Sequence, residues 1–292
     1  MMSTIKHALH EAFWWFANHT YKYWPDGLWL RMLFYTKVHK KLNLSHPKTF
    51  TDKLNWQKIH DRNPLYTKLV DKYEVKAYIK DLIGEQYVIP LYGVWNHFDD
   101  IDFDQLPEQF ILKCTHDSGR FAICKDKSSF DKQAVKERFE KSLHNNFFWW
   151  TREWAYKNVP PRIIAEKLMD EDGSGALTDY KFFCFNGEPR IMYISKDVAA
   201  HPTTDFFDMD WNPLPFKIKD EHSDVLPPKP LFFEDMRCLA RKLSQGIPQV
   251  RVDFYYIKGQ IYFGEMTFYH NSGIFSITPD EWDSIIGEWL EL

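Results

Sequence analysis

Two acids near the end of the chain stand where an acid is chemically conspicuous. The segments VRVDFYY (250–256) and QIYFGEMTF (260–268) flank Lys258-Gly259 and read as the strands of a hairpin. Side chains two apart share one face of a strand, so Arg251 and Asp253 point the same way, as do Glu265 and Thr267. The short turn brings Asp253 and Glu265 alongside each other. Two carboxylates so placed repel unless a cation lies between them. Hard oxygen donors at that separation suit Mg²⁺, which recruits phosphate oxygens to complete its shell. The ordinary alternative is a solvated polar face with incidental acids. Against it, Val250, Val252, Phe254, Ile261, Phe263 and Phe268 describe a largely buried sheet, in which unpaired carboxylates are costly.

Other residues extend the same chemistry. Lys113 lies in the apolar run FILKC and is followed by the turn THDSGR, so an ammonium faces a Gly-containing loop whose N–H groups could meet phosphate oxygens. Taken singly, most strand lysines only reach out to water. Asp71-Lys72 opens a helix. Glu166 ends an apolar strand and leads into a polar loop, as a hinge that meets adenine would. Asp179 and Lys181 alternate onto one face of the next strand. Together, lysines, an arginine and acids on apolar strands suit polyphosphate plus Mg²⁺ better than a structural role.

The elements that must hold these residues follow from periodicity. Residues 66–81 carry apolar side chains at helical spacing, and a short strand around Tyr87–Ile89 ends at Pro90. FILKC and RFAICK read as paired strands, residues 130–157 as helix and RIIAEKLM as strand, followed by a polar loop over 170–176. Asp179–Phe185, Arg190–Ser195 and Phe206–Asp210 read as consecutive antiparallel strands, the first pair turning at Asn186-Gly187; 233–245 is an amphipathic helix. Strands in clusters broken by helices indicate an α+β fold without independent linked domains.

Composition narrows the class. At 292 residues with 17% aromatics, the chain can build a substantial core and is not disordered. A formal net charge of −4 argues against a general nucleic-acid binder. Cys114, Cys124, Cys184 and Cys238 are scattered, as reduced and mostly buried thiols of a cytosolic protein would be. The start lacks a signal-peptide pattern, and its apolar run 12–17 is too short to span a bilayer. Residues 1–60 nevertheless hold nine Lys/Arg against three acids, with Ile5, Leu9, Phe13 and Phe16 at helical spacing and a second basic stretch, LWLRMLFYTKVHKKLNL, behind them. Such a segment either lies on an anionic membrane surface or packs as a helical lid; core aromatics are the commoner use of these residues.

The ordered set Asp71-Lys72, FILKCTHDSG, RIIAEKLMD, DYKFFCFNGEP, RVDFY and IYFGEMTFYHNSG resembles the ATP-grasp superfamily, and more narrowly its TupA-like branch, associated with bacterial surface-polysaccharide biosynthesis. PKTFTDKLNW and IPLYGVW resemble that branch too, and the similarity runs over roughly residues 45–292. The resemblance implies two α+β subdomains, 61–165 and 166–292, clasping ATP, behind an N-terminal helical segment, 1–60. It implies Lys72 and Lys113 as phosphate-binding lysines and His116, Ser118 and Gly119 within a small loop closing over ATP. Glu166, Lys167 and Leu168 match the adenine-binding hinge, Asp179 a ribose-binding acid, and Lys181 a basic residue near the phosphates. Arg251 matches the arginine that stabilises the transferred phosphoryl group, and Asp253 and Glu265 match the metal ligands. One departure is Thr267, where the superfamily usually has Asn; a hydroxyl can still coordinate Mg²⁺, and Asn271 lies close behind. The implied activity is ATP-dependent ligation of a carboxylate to an amine. By analogy, a glycan uronate would be joined to an amino acid or small amine, in the cytoplasm and in peripheral contact with the inner membrane or polysaccharide-assembly enzymes. Rival readings are a kinase on the same fold, a glycosyltransferase using Asp208-Met209-Asp210, and a degenerate nucleotide-binding scaffold.

Overall fold

The computed structural model describes residues 16–17, 19–170, 177–196 and 203–292. The expected helix through Ile5, Leu9 and Phe13 and the polar loop after Asp170 fall outside the described residues. Two antiparallel sheets organise the rest. The first has the strand order β1 (Leu91–Trp95), β4 (Ile163–Lys167), β2 (Phe110–Cys114), β3 (Phe121–Cys124). The second runs β7 (Asp205–Phe207), β6 (Glu188–Lys196), β5 (Thr178–Phe185), β8 (Gln249–Ile257), β9 (Gln260–Thr267). The β5–β6 turn uses Asn186 (φ 51°) and Gly187 (φ 81°), and the β8–β9 turn Lys258 (φ 50°) and Gly259 (φ 85°), the left-handed pairs that match strand twist.

Both faces of the second sheet are apolar because helices cover both. On one face Phe182, Cys184, Val250, Val252 and Phe254 meet Phe233, Met236, Leu239 and Leu243 of the helix Phe233–Leu243. On the other, Phe183, Phe185 and Ile191 pack with Phe50 from the helix α2 (Phe50–His60) and Ile286 and Leu290 near the final helix, Glu281–Trp289. Charged residues occupy the uncovered end of this second face. Thr51 donates its N–H and hydroxyl to the Asp283 carboxylate (2.9 and 2.7 Å), and Lys53 Nζ donates to the carbonyls of Gly287 (2.9 Å) and Leu290 (2.7 Å). A Cβ on Gly287 would stand 2.3 Å from the Lys48 carbonyl, so only glycine permits this approach.

Several elements differ from the sequence reading. The expected helix over 66–81 is two, α3 (Pro64–Val70) and α4 (Glu74–Leu82), because Asp71 Oδ1 accepts the N–H groups of Tyr73 (2.8 Å) and Glu74 (3.3 Å) and starts a new helix. The strand expected at Tyr87–Ile89 lies beyond Pro90: residues Glu85–Tyr87 form a 3₁₀ turn, and pairing begins where Lys167 donates to the Pro90 carbonyl (2.9 Å). The helix expected over 130–157 is broken into α5 (Lys132–Leu143), α6 (Phe148–Thr151) and a 3₁₀ turn at Trp154–Tyr156. Asn146 caps Phe148 N–H (3.0 Å), and Arg152 adopts φ 57°. The last of the three antiparallel strands stops at Phe207, since the Asp208 carboxylate accepts from Asp210 N (2.9 Å) and Asn212 N (2.8 Å) in a turn.

The basic stretch after Pro25 forms the helix α1 (Asp26–Val38), which packs as a lid through one face. Trp29 is fully buried and donates Nε1–H to the Trp150 carbonyl (2.7 Å). Arg152, also fully buried, donates to the Tyr21 carbonyl (2.6 Å) and pairs with Asp26 (2.7 Å). Trp29→Ala is therefore expected to destabilise the protein by about 3–5 kcal/mol in equilibrium unfolding. A loss below about 1 kcal/mol would mean that α1 is a detached arm.

Candidate active site

Between the two sheets lies a cleft of about 200 Å³. Its apolar side is made by Leu69, Val75, Ile79, Val88 and Ile89 with Met266, and its polar side by Lys72, Lys76, Lys113, Glu166 and Glu265, with Gly119 and Arg120 of the β2–β3 turn at the edge. One end suits a flat apolar ring and the other an anion.

Each polar residue is aimed by its element. Lys113 and Glu166 share a face of neighbouring strands β2 and β4, and Lys113 Nζ stands 2.7 Å from Glu166 Oε2. Lys76, in the first turn of α4, reaches Glu166 Oε1 (2.5 Å) and donates to the Ile89 carbonyl (2.9 Å). Burial alone would raise the Glu166 carboxyl; the Lys113 and Lys76 ammoniums overcome it and hold it at about 2. Lys72 occupies the break between α3 and α4 and donates to the Asp117 carbonyl. Burial lowers its pKa, with Asp117 and Glu265 opposing that effect, so a charged ammonium there depends on nearby anions. Arg162 braces the break from below, on Asp71 (2.7 Å) and Glu74 (3.1 Å) and over the Tyr73 ring (4.6 Å).

The hairpin carries the second half. Asp253 and Glu265 are cross-strand partners, as are Arg251 and Thr267. A bulge falls just beyond Asp253, where a Cβ on Gly264 would stand 3.1 Å from the Asp253 carbonyl. The cation between the two acids is Arg251 itself. Its Nε and Nη2 grip Asp253 (2.7 and 2.6 Å), and Nη2 also reaches Glu265 Oε1 (2.7 Å). Lys181, opposite Asp253 on β5, adds a contact at 2.7 Å and bridges to Asp179 (3.3 Å). Thr267 Oγ1 donates to Glu265 Oε1 (3.1 Å). Asp253 is fully buried, and although burial would raise its carboxyl, Arg251 and Lys181 hold it below the usual carboxylate range. Arg251 Nη1 meets His270 Nδ1 at 2.8 Å. Because arginine only donates, that nitrogen accepts; burial and the Arg251 charge keep the imidazole neutral. The other ring nitrogen, Nε2, lies 3.2 Å from Asn271 Nδ2.

Three carboxylates stand against two cations in this cluster, and the half-exposed Glu265 fronts the cleft. Among the described residues no group of three or more His, Cys, Asp or Glu is arranged to hold a metal by itself. A Mg²⁺ completed by phosphate oxygens fits this hard, net-negative donor set; one held by protein alone does not.

Of the residues singled out from the sequence, Lys72, Lys113, Gly119, Glu166 and Glu265 line one cleft, and Arg251, Asp253, Lys181, Asp179 and Thr267 join it through Glu265. His116 is buried beneath the loop with Nε2 on the Ser142 carbonyl (2.9 Å), while Ser118 is exposed beside Gly119. Lys167 turns its side chain to solvent, away from Glu166, and Leu168 is half-buried. Asp208 is engaged in its turn with Asn212. Lys76, Arg162 and His270 were missed. Lys76 could have been found as the residue one helical turn beyond Lys72; His270 carried no signal, since only tertiary structure brings it to Arg251.

Residues 52–291 match the TupA-like ATPgrasp family. The chain belongs to this TupA-like ATP-grasp family. No curated protein sequence matches it. Solved structures similar to this ATP-grasp chain include the D-alanine–D-alanine ligase of Bacillus anthracis complexed with ATP (15% identity, TM-score 0.41, covering 69% of this chain and 55% of that one). Others are the D-alanine–D-alanine ligase of Helicobacter pylori (17%, 0.37, 70% and 55%) and the L-amino acid ligase of Bacillus licheniformis (10%, 0.46, 77% and 50%). The chain spans about half the length of the structures it matches.

Glu166 has a folded pKa below its ordinary value of 4.5, so its stabilisation is complete above about pH 4.5 and is lost as pH falls toward 2. The loss amounts to about 3 kcal/mol, and acid-unfolding curves of Glu166→Gln are expected to be flatter in that window. His270→Leu leaves an Arg251 donor unsatisfied, at about 1–3 kcal/mol in chemical denaturation. His270→Gln, which retains an acceptor, is expected to recover most of it.

Proposed function

We propose that this ATP-grasp protein is an ATP-dependent carboxylate–amine ligase. The observation that carries the reading is the convergence of Lys72 and Lys113 with Glu265 and its Arg251–Asp253 pair on one cleft that also has an apolar end. In this reading adenine lies against Leu69, Ile79 and Met266 near the Glu166–Leu168 hinge, with Asp179 at the ribose. Lys72 and Lys113 hold the phosphates, and Gly119 lets the turn at His116 and Ser118 approach them. Asp253, Glu265 and Thr267 would hold Mg²⁺, which supplies charge neutralisation on the phosphate oxygens. The substrate carboxylate attacks the γ-phosphorus, its oxygen–phosphorus bond forming as the bond to ADP breaks. An amine then attacks the acyl carbon, phosphate leaves, and the amine loses a proton. No protein nucleophile is needed, since orientation and electrostatics supply the catalysis. Arg251 opposes charge growing on the acyl phosphate, and Lys181 keeps the Arg251–Asp253 pair in register.

We further infer that residues 61–165 and 166–292 are the two halves of the clasp, with 1–60 as an added segment. The acid is read as a uronate of a bacterial surface polysaccharide or its precursor, and the amine as an amino acid or small amine. The reaction would then run in the cytoplasm beside polysaccharide-assembly enzymes. Release of ADP and phosphate across a panel of uronates and amines tests this directly. Turnover is expected only when both an acid and an amine are supplied. A stable phosphorylated acid formed without amine consumption would favour a kinase instead. Glu265→Gln is expected to lower turnover by about 100-fold or more with the melting temperature little changed.

A further inference from the structure

Helix α1 has two apolar faces, and only one is covered. Trp29, Leu30, Leu33 and Phe34 point inward and are buried. Leu28, Arg31 and Tyr35, spaced three and four apart, form an outward stripe, with Leu28 53% and Tyr35 57% exposed. The turn before it adds Tyr23, 87% exposed, beside exposed Lys22, and Phe16 stands 52% exposed just upstream. Single exposed apolar side chains are ordinary. Four large ones within twenty residues, interleaved with cations, have the composition of an interaction surface.

The charge of the patch says what it meets. Residues 16–48 carry six Lys/Arg and one acid. That acid, Asp26, is engaged by the buried Arg152 (2.7 Å), and of the cations Lys40 alone forms an ion pair among the described residues, with Asp280 (2.6 Å). Lys22, Arg31, Lys37, Lys41 and Lys48 are exposed and have no acidic partner among the described residues, although the chain as a whole is net negative. No helix of the described residues is long and apolar enough to cross a membrane. A basic face with Leu and Tyr at its surface is the composition that settles at an anionic lipid interface, apolar tips among the acyl chains and ammoniums among the headgroups.

We propose that the outward face of α1 docks this protein on an anionic phospholipid bilayer. The inward face anchors the helix to the fold, so lipid and lid contacts coexist. The docking rests on the composition of α1 and not on the ligase reading, so the two can fail separately. The test is flotation of the full chain with phosphatidylcholine vesicles, with and without phosphatidylglycerol, at low and high salt. Flotation is expected only with phosphatidylglycerol and only at low salt. Each cation near an anionic surface multiplies partitioning about fivefold, so Arg31→Gln with Lys22→Gln is expected to lower it about 30-fold. Leu28→Ser with Tyr35→Ser is expected to weaken the low-salt flotation on phosphatidylglycerol vesicles, with unchanged melting temperature and nucleotide binding in both variants. Absence of flotation on the anionic vesicles at low salt, or flotation undiminished in both variants, overturns the proposal. So does a dimer in light scattering that Leu28→Ser with Tyr35→Ser dissolves while vesicles go unbound, since the face would then belong to a second copy.

Discussion

The site depends on a guanidinium and a carboxylate placed where water does not reach. Arg251 and Asp253 are two residues apart on one strand, and Asp253 has no exposed surface. Charges so buried are tolerated only when every donor and acceptor around them is met. That requirement explains the neighbourhood: Lys181 comes from β5, Glu265 from β9, and His270 from the loop beyond β9. Each contributes one contact that the pair lacks, and the result is a rigid, directional charge array at the mouth of an apolar cleft. The same array leaves Glu265 as its one half-exposed member, so the electrostatics of the interior emerge at a single point.

The loop that delivers His270 is itself held under constraint. Asn271, Ser272 and Gly273 have φ of 44°, 54° and 57°, a run that two non-glycine residues adopt only at a cost. Asn55 Nδ2 donates to the Gly273 carbonyl (2.6 Å), Lys58 Nζ to the Ser272 carbonyl (2.6 Å), and the Ser272 hydroxyl to Glu153 (2.6 Å). Burial lowers the Lys58 pKa and raises that of Glu153, and each opposes the shift of the other. Side chains from α2 and from the turn after α6 thus fix a backbone that aims an imidazole at Arg251.

Much of this was legible in the residues. Period-two alternation and the two Asn/Lys-Gly turns identify the strands of the second sheet and place Arg251, Asp253, Glu265 and Thr267 on one face, where the structure has them. The first sheet is legible through FILKC and RIIAEKLM, although their pairing is not. What escaped were features decided by polar groups meeting across the chain. Asp71 turns back on its own backbone and splits a helix that apolar spacing joins; Asn146 does the same between α5 and α6. That Arg251 would itself reach both Asp253 and Glu265 was not legible either, since shared faces say nothing of which side chains meet. Lys76 and His270 reach the site from a helix face and a strained loop, which periodicity cannot assign.

The interlock of α2 with the final helix has a consequence for biosynthesis. Thr51 and Asp283 meet across 232 residues, and Lys53 closes on carbonyls still nearer the end. At about 5–20 residues per second, a ribosome leaves α2 without that partner for roughly 10–50 s. Throughout that interval Phe50 and Leu54 lack the surface that will bury them. The helix that carries Asp283 is therefore what seals α2, and the nascent chain must be kept from aggregating until that helix emerges.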